Sequence, residues 1–121
     1  MRFSFFCSLL SILFFANTFA AAPKPAVATT YNVRIELVDI YGNPYTGSTG
    51  LHGFWAVNQA TGVTYNAERE GFEIYDLPAG TYQFGAHPGN WDGVVSKVVT
   101  LDDSQVGSDG YIVVTLTYWV E

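Results

Sequence analysis

Cysteine is nearly absent from this chain, since Cys7 is its only one. Cys7 stands at the start of an N-terminal apolar run, whereas a lipoprotein anchor would need it at the end of that run. The rest of the chain therefore cannot form disulfides, thiol-based catalytic sites or cysteine-ligated metal sites. Disulfides stabilise many small domains, and without them the folded part of this chain has to be stabilised by its hydrophobic core alone.

The N-terminal run has the layout of a secretory signal peptide. Arg2 gives a basic start, Phe3 to Phe15 is almost entirely apolar, and small residues follow. The run is shorter than the roughly 20 residues of a membrane span. We predict a signal peptide over residues 1–20, with cleavage after Ala20 or Ala21. A retained signal anchor is the alternative.

Basic residues are also few. Removal of Arg2 with the leader leaves four basic residues against eleven acidic ones, a net charge of −7 with neutral histidines. Such a domain is repelled by nucleic acids and anionic membranes, so neither is expected as a partner. We expect a secreted, extracellular protein with no membrane span after signal cleavage. The periplasm and the cell surface are alternative destinations.

No segment of ten or more residues has the periodicity of an amphipathic helix. Residues 21–30 are a Pro/Ala/Thr linker, and seven short stretches after it read as strands separated by turn residues. This spacing predicts an all-β domain over residues 31–121, a seven-stranded antiparallel sandwich of two sheets. A small barrel is the alternative. The predicted strands are Tyr31–Asp39, Leu51–Asn58, Val63–Ala67, Phe72–Tyr75, Thr81–His87, Val94–Leu101 and Tyr111–Val120.

Three motifs mark the turns between these strands. They are Asp-x-x-Gly-x-Pro at 39–44, Gly-Phe-x-Ile-x-x-Leu-Pro-Ala-Gly-x-Tyr at 71–82, and Val-x-Leu at 99–101. Together they resemble the carboxypeptidase regulatory-like, or transthyretin-like (prealbumin-like), β-sandwich family. The resemblance covers nearly the whole predicted domain and implies an Ig-like sandwich with a hairpin over 71–82.

The resemblance implies a fold but no activity. Similar adhesin repeats carry a Lys–Asn isopeptide bond, but Leu37 stands where their lysine would be, so no such bond is predicted. The similar hydrolase of urate breakdown ends in Tyr-Arg-Gly-Ser, whereas this chain ends with Tyr118 to Glu121.

The hairpin motif also has a structural interpretation from its residues alone. We expect four side chains to fill the space between the sheets and Leu77 to close one end of it. Gly80 supplies an unusual backbone angle to the turn, and Pro78 fixes the bend before it. The four expected core residues are Phe72, Ile74, Tyr82 and Phe84.

Groups for catalysis are sparse. His52 and His87 are the only histidines, and the spacing of Ser96, His87 and Asp92 fits no known nucleophile turn. We therefore predict a protein that is not an enzyme and needs no cofactor.

One loop concentrates hard oxygen atoms of the kind that calcium prefers. It contains Asp102, Asp103, Ser104 and Asp109. Its spacing does not match the helix-loop-helix calcium pattern, so no metal ligand is predicted. Calcium binding by this loop is the alternative.

Aromatic residues in loops are the more informative surplus. Trp91 lies among small and polar residues, between Asn90 and Asp92, while Tyr41 and Tyr45 lie in another turn. An exposed indole can stack on a sugar ring while polar neighbours bind its hydroxyls. We predict these five residues as the ligand-binding site. The alternative is that Trp91 caps the end of the sandwich.

The sequence thus predicts a secreted binding module that recognises a carbohydrate or surface polymer. The alternative is an extracellular protein-interaction module, such as an adhesin, a matrix component or a secreted effector. Its surface would be the last strand, whose second face carries Val113, Thr115, Thr117 and Trp119. That strand could pair edge to edge with a partner, or it could simply be central.

Overall fold

The computed structural model describes residues 29–68 and 71–121. The predicted signal peptide over residues 1–20 and residues 21–28 of the predicted linker lie outside this part. The described part contains eight β-strands and a single 3₁₀ turn at Asp103–Gln105. The strands are β1 (Thr30–Val38), β2 (Phe54–Asn58), β3 (Thr64–Asn66), β4 (Glu73–Pro78), β5 (Gly80–Ala86), β6 (Asp92–Val95), β7 (Lys97–Leu101) and β8 (Tyr111–Val120).

The strands form two four-stranded sheets around one core. The β1–β8 sheet has the order β4-β1-β8-β6, and the β2–β5 sheet has the order β3-β2-β5-β7. The prediction of an all-β, two-sheet sandwich is therefore confirmed. A wholly antiparallel arrangement is not found, because β1 and β8 run parallel, with Val33 opposite Ile112 and Leu37 opposite Leu116.

The count of eight strands, rather than the predicted seven, comes from one division. The predicted strand Val94–Leu101 changes sheets at Ser96. Val94 pairs with Tyr118 in the β1–β8 sheet, whereas Val99 pairs with Tyr82 in the β2–β5 sheet. Since valines continue on both sides of Ser96 without a glycine or proline, the sequence carries no signal of the division.

The predicted hairpin over 71–82 is wrong. β4 pairs with β1 and β5 pairs with β2, so the two strands belong to different sheets and Ala79 alone connects them. Gly80 has the expected unusual angle, with φ of 152°, and the Tyr82 hydroxyl donates to the Pro78 carbonyl at 2.7 Å. The sequence does not distinguish a connection between the two sheets from a hairpin here. Both sheets face the same core, so both cases give the same alternation of apolar residues.

The core is built from the inward rows of both sheets. Ile74, Leu77, Tyr82 and Phe84 are fully buried, as predicted. The prediction for Phe72 is wrong, since 42% of this residue is exposed. Phe72 precedes β4, and its ring lies beside the Phe54 ring, with 5.0 Å between the centroids, while the rest remains open to solvent. The buried apolar residues are Tyr31, Val33, Ile35, Leu37, Phe54, Ala56, Ile74, Leu77, Tyr82, Phe84, Leu101, Ile112, Val114, Leu116 and Tyr118.

The outer face of each sheet carries one tryptophan over a cross-strand glycine. Trp119 lies opposite Gly93, and Trp55 lies opposite Gly85. A Cβ atom at Gly93 would come within 2.5 Å of the Trp119 indole, and one at Gly85 would come within 2.8 Å of Trp55 Cη2. Glycine therefore leaves room for each indole to lie on the sheet, and both tryptophans are half-buried sheet-face residues.

Strand β8 is central, because β1 and β6 flank it. It therefore has no free backbone edge for the edge-to-edge pairing considered from the sequence. In the residues that the structure describes, no helix is long and apolar enough to span a membrane.

Candidate functional site

Three of the predicted site residues lie together at one end of the sandwich, where the loop after β5 enters β6. Trp91 is 69% exposed, whereas Asp92 is only 6% exposed. This difference follows from the strand geometry, because Asp92 begins β6 and side chains alternate between its faces. Asn90 is exposed. The Trp91 carbonyl accepts a hydrogen bond from the Glu121 amide at 2.7 Å, which ties the loop to the end of β8.

A surface cavity of about 350 Å³ lies beside these residues. We call it the Trp91 cavity. Its lining combines the exposed Trp91, the buried residue Asp92 and several other residues. The lining residues are Gly50, His52, Asn90, Trp91, Asp92, Tyr118 and Val120.

The Asp92 carboxylate is held by donors from two other parts of the chain. Its Oδ2 accepts from the Tyr118 hydroxyl at 2.6 Å and from the Gly50 amide at 2.6 Å. The Tyr118 hydrogen bond lowers the pKa of Asp92; the Gly50 and Gly89 amides and the His52 charge also lower it, against the opposing effect of burial. Asp92 is therefore ionised at neutral pH and fixed in orientation.

The second carboxylate oxygen of Asp92 is different. Asp92 Oδ1 is buried and has no hydrogen-bond partner within the described part of the chain. The Gly89 amide also lowers the pKa of Asp92, and it donates a hydrogen bond to the Asp92 main-chain carbonyl at 3.1 Å. A buried acceptor without a donor is unusual in folded proteins, so its surroundings need an explanation.

Two glycines enclose Asp92 Oδ1. A Cβ atom at Gly89 would overlap this oxygen and would come within 2.5 Å of the Gly50 carbonyl oxygen. A Cβ atom at Gly50 would lie 3.0 Å from Asp92 Oδ1. The backbone therefore approaches the carboxylate more closely than any residue with a side chain would allow.

The burial of Tyr118 supports the same arrangement. Burial raises the pKa of Tyr118, and its hydrogen bond to Asp92 raises it further. Tyr118 thus stays neutral and donates a hydrogen bond to Asp92 Oδ2. Tyr45 packs on the other side of Tyr118, with 4.7 Å between the ring centroids.

The other two predicted site residues lie outside the Trp91 cavity. Tyr45 lines a separate cavity of about 390 Å³ together with Phe72, and its hydroxyl donates to the Ser48 carbonyl at 2.8 Å. Tyr41 is 83% exposed, in a turn where the Asp39 carboxylate accepts hydrogen bonds from two backbone amides. Tyr41 lines neither cavity, so the structure brings together Asn90, Trp91 and Asp92 but not the two tyrosines.

In the acidic loop between β7 and β8, each of the three aspartates has its own hydrogen-bond partner. Asp102 accepts from the Ser104 amide at 3.0 Å and caps the 3₁₀ turn. Asp103 accepts from the Tyr31 hydroxyl at 2.7 Å, and Asp109 pairs with Arg34 at 2.8 Å. No group of three or more potential metal ligands converges among the described residues.

The serine, histidine and aspartate considered for catalysis do not form a hydrogen-bonded relay. Asp92 is bound by Tyr118 and Gly50, and the histidine whose charge acts on it is His52. His87 contributes backbone hydrogen bonds to Gly53 and His52.

Five lining or supporting residues were missed from the sequence, namely Gly50, His52, Gly89, Tyr118 and Val120. Only Tyr118 had a usable signal, because it lies in the inward row of the last strand, and a buried tyrosine needs a partner for its hydroxyl. Gly50 and His52 come from a loop about forty residues away, which local patterns do not connect to Trp91.

Comparison of the chain with protein-family models, with curated proteins and with solved structures found no match.

Proposed function

We propose that this chain is an exported, non-catalytic β-sandwich of the transthyretin-like kind, and that it binds a saccharide in the Trp91 cavity. The single observation that carries the proposal is the exposed Trp91 indole beside the buried, fixed carboxylate of Asp92. The family assignment rests on the turn motifs over 39–44 and 71–82, and the two-sheet arrangement is compatible with it.

The two sides of the cavity suit the two sides of a sugar ring. The CH groups of a pyranose face form an apolar surface that stacks on an indole, and burying Trp91 in this way removes a large apolar group from water. Hydroxyl groups at the ring edge need hydrogen-bonding partners, which the exposed Asn90 amide supplies. Since Tyr118 and Gly50 already hold the carboxylate, little side-chain entropy is lost on binding.

The test is binding of the purified domain to an array of glycans and polysaccharides. Trp91→Ala should lose selective binding, because the stacking surface is removed. Tyr41→Ala is the matched control, since Tyr41 is an exposed loop aromatic outside the cavity, and it should bind like the natural chain. Binding that survives in Trp91→Ala would contradict the site, and an absence of binding by a folded domain would contradict the function.

A second candidate function is protein interaction through the outer face of the β1–β8 sheet. Val95 is 56% exposed and Val113 is 44% exposed on this face. Such residues suit a protein partner better than a sugar. This function predicts a specific extracellular partner whose binding is lost in Val113→Glu and kept in Trp91→Ala, with no selective glycan binding.

A further inference from the structure

We infer that the saccharide site extends from the Trp91 cavity over Gly93 to Trp119, and that its ligand is a chain of several neutral, β-linked sugars rather than one terminal sugar. This inference rests on the proposed saccharide function and adds Trp119 as a second stacking residue. Three features support it, namely the register of β6 on β8, the packing of Trp119 on Gly93, and the uncharged outward positions of these two strands.

The register brings Trp91 and Trp119 to the same face of the β1–β8 sheet. Gly93 of β6 lies opposite Trp119, and the Glu121 amide donates to the Trp91 carbonyl at 2.7 Å, so the pairing continues beyond β6. Side chains alternate along a strand, and Asp92 is buried, so Trp91, Gly93 and Trp119 all belong to the outward face. Trp91 and Trp119 are therefore diagonal neighbours, with roughly 7–8 Å between their Cα atoms.

Gly93 keeps the surface between the two tryptophans free of other side chains. A Cβ atom at this position would lie 2.5 Å from Cζ2 and 3.0 Å from Cε2 of the Trp119 indole. The indole therefore lies on the backbone of β6, and its solvent-exposed part is on the side that faces away from the sheet. A larger residue at position 93 would displace the indole and would separate Trp119 from Trp91.

The outward positions where β6 and β8 pair carry no charge. They are Gly93, Val95, Thr117 and Trp119. The Thr117 hydroxyl is of the kind that both donates and accepts hydrogen bonds, as sugar hydroxyls do. The chain as a whole has a net charge of −6, and Glu121 is exposed beside Trp91. An acidic polysaccharide would be repelled, whereas a neutral one is not.

Two indoles on one face also select the shape of the ligand. Each indole can stack on the apolar face of one pyranose ring. A β-linked chain with equatorial linkages is extended and presents such faces along its length, whereas α-linked chains tend to coil. A single terminal sugar could fill the Trp91 cavity, but it would leave Trp119 unused, since Trp119 does not line that cavity.

The test is titration calorimetry of the natural chain with sugars of two lengths. The probes are cellobiose and cellohexaose, and the dimer and hexamer of N-acetylglucosamine. The dimer and hexamer of any further neutral β-linked glycan found on the array are titrated in the same way. We expect a hexamer to bind about tenfold more tightly than its dimer, because a second ring stacks on Trp119.

Variants locate the second stacking position. Trp119→Ala should remove most of the gain from dimer to hexamer, and Trp91→Ala should lose the binding of both lengths. Trp55→Ala is the matched control, because Trp55 lies over Gly85 on the outer face of the other sheet in the same way. It should keep the gain. If Trp119→Ala does not fold, Trp119→Leu keeps an apolar side chain over Gly93 but has no ring to stack.

The results separate this inference from the proposed function. Equal affinity for dimers and hexamers, with glycan binding that Trp91→Ala abolishes, would overturn the extension and leave the saccharide function intact. A gain that survives in Trp119→Ala, or that Trp55→Ala removes equally, would overturn the role of Trp119. Trp91-dependent binding of acidic or α-linked glycans only would overturn the ligand class. If no array glycan binds the folded domain, the proposed function itself fails and a protein partner is favoured for this face.

Discussion

Two loops of this molecule look alike in sequence and differ in structure. The loop that leads into Asp92 of β6 and the loop between β7 and β8 are both short, and each contains glycine and has aspartate in it or directly after it. In the first, Asp92 is buried and one of its oxygens lacks a donor. In the second, Asp103 and Asp109 are exposed, and each has a donor from β1. The two loops differ in whether an aspartate side chain is buried or exposed. This difference, rather than the number of aspartates, distinguishes the candidate site from a solvated loop.

The largest expected effect comes from adding a methyl group beside Asp92. In Gly89→Ala the new Cβ would overlap Asp92 Oδ1 and approach the Gly50 carbonyl to 2.5 Å. We expect a loss of about 2–3 kcal/mol in the free energy of unfolding, measured by urea denaturation. Gly107→Ala in the acidic loop is the matched control. Its Cβ would meet its nearest atoms at 3.3 Å, so it should lose clearly less. Equal losses would contradict the difference between the loops.

The second comparison removes one charge from each loop. Asp92→Asn weakens the hydrogen bonds from Tyr118 and Gly50 in a buried place, and we expect a loss of about 1–2 kcal/mol. Asp109→Asn breaks an exposed pair with Arg34, so we expect a clearly smaller loss than in Asp92→Asn. Chemical denaturation of both variants measures this. A larger loss in Asp109→Asn would reverse the comparison.

At acid pH, we expect the stability contributions of Asp92 and Asp109 to differ in their dependence on salt concentration. The pKa values of both Asp92 and Asp109 are lowered, chiefly by the Tyr118 hydrogen bond and the Arg34 hydrogen bond respectively. Each carboxylate therefore stabilises the folded state above the unfolded pKa of about 3.9, and this contribution is lost as the pH falls below it.

Denaturation curves between pH 7 and pH 2.5 test this expectation. Asp92→Asn should flatten the fall in stability equally at low and high salt, whereas Asp109→Asn should flatten it mainly at low salt because its pair is exposed. The same salt response in both variants would contradict the burial argument for Asp92.

The smallest effect on stability is expected at the exposed apolar residues of the two loops. Trp91→Ala and Val106→Ala should each change the free energy of unfolding by only about 0.5 kcal/mol, since both residues are exposed, Trp91 to 69% and Val106 to 39%. They should differ in binding, which only Trp91→Ala abolishes. A thermal melt beside a glycan titration measures both, and marked destabilisation by Trp91→Ala would indicate a structural cap instead.

Much of the sandwich could be predicted because apolar and polar residues alternate along its strands. The inward rows of β1 and β8 alternate without interruption, and their core residues are buried as expected. The corner at Ala79 and the division at Ser96 could not be predicted, because a chain that changes sheets keeps its apolar side toward one shared core. The parallel pairing of β1 with β8 depends on residues about eighty positions apart.

The candidate site was predictable to a smaller extent. The exposure of Trp91 follows from its small and polar neighbours. The sequence indicates only weakly that Asp92 is buried. Asp92 lies two residues before Val94, on the same face of the strand, and Val94 packs against the core. The donor from Gly50 and the position of His52 result from the folding of a distant loop, so no local pattern contains them.

The parallel pairing of β1 with β8 also determines at which end another protein segment can be attached without covering the Trp91 cavity. Asn32, near the start of β1, lies opposite Tyr111, and β8 runs ten residues from Tyr111 to Val120, which lines the Trp91 cavity. At about 3.3 Å per residue the two ends are roughly 30 Å apart. A tether, fusion partner or affinity tag joined ahead of Thr29 therefore leaves the cavity facing outward. The same attachment after Glu121, whose amide bonds to Trp91, would stand at its mouth.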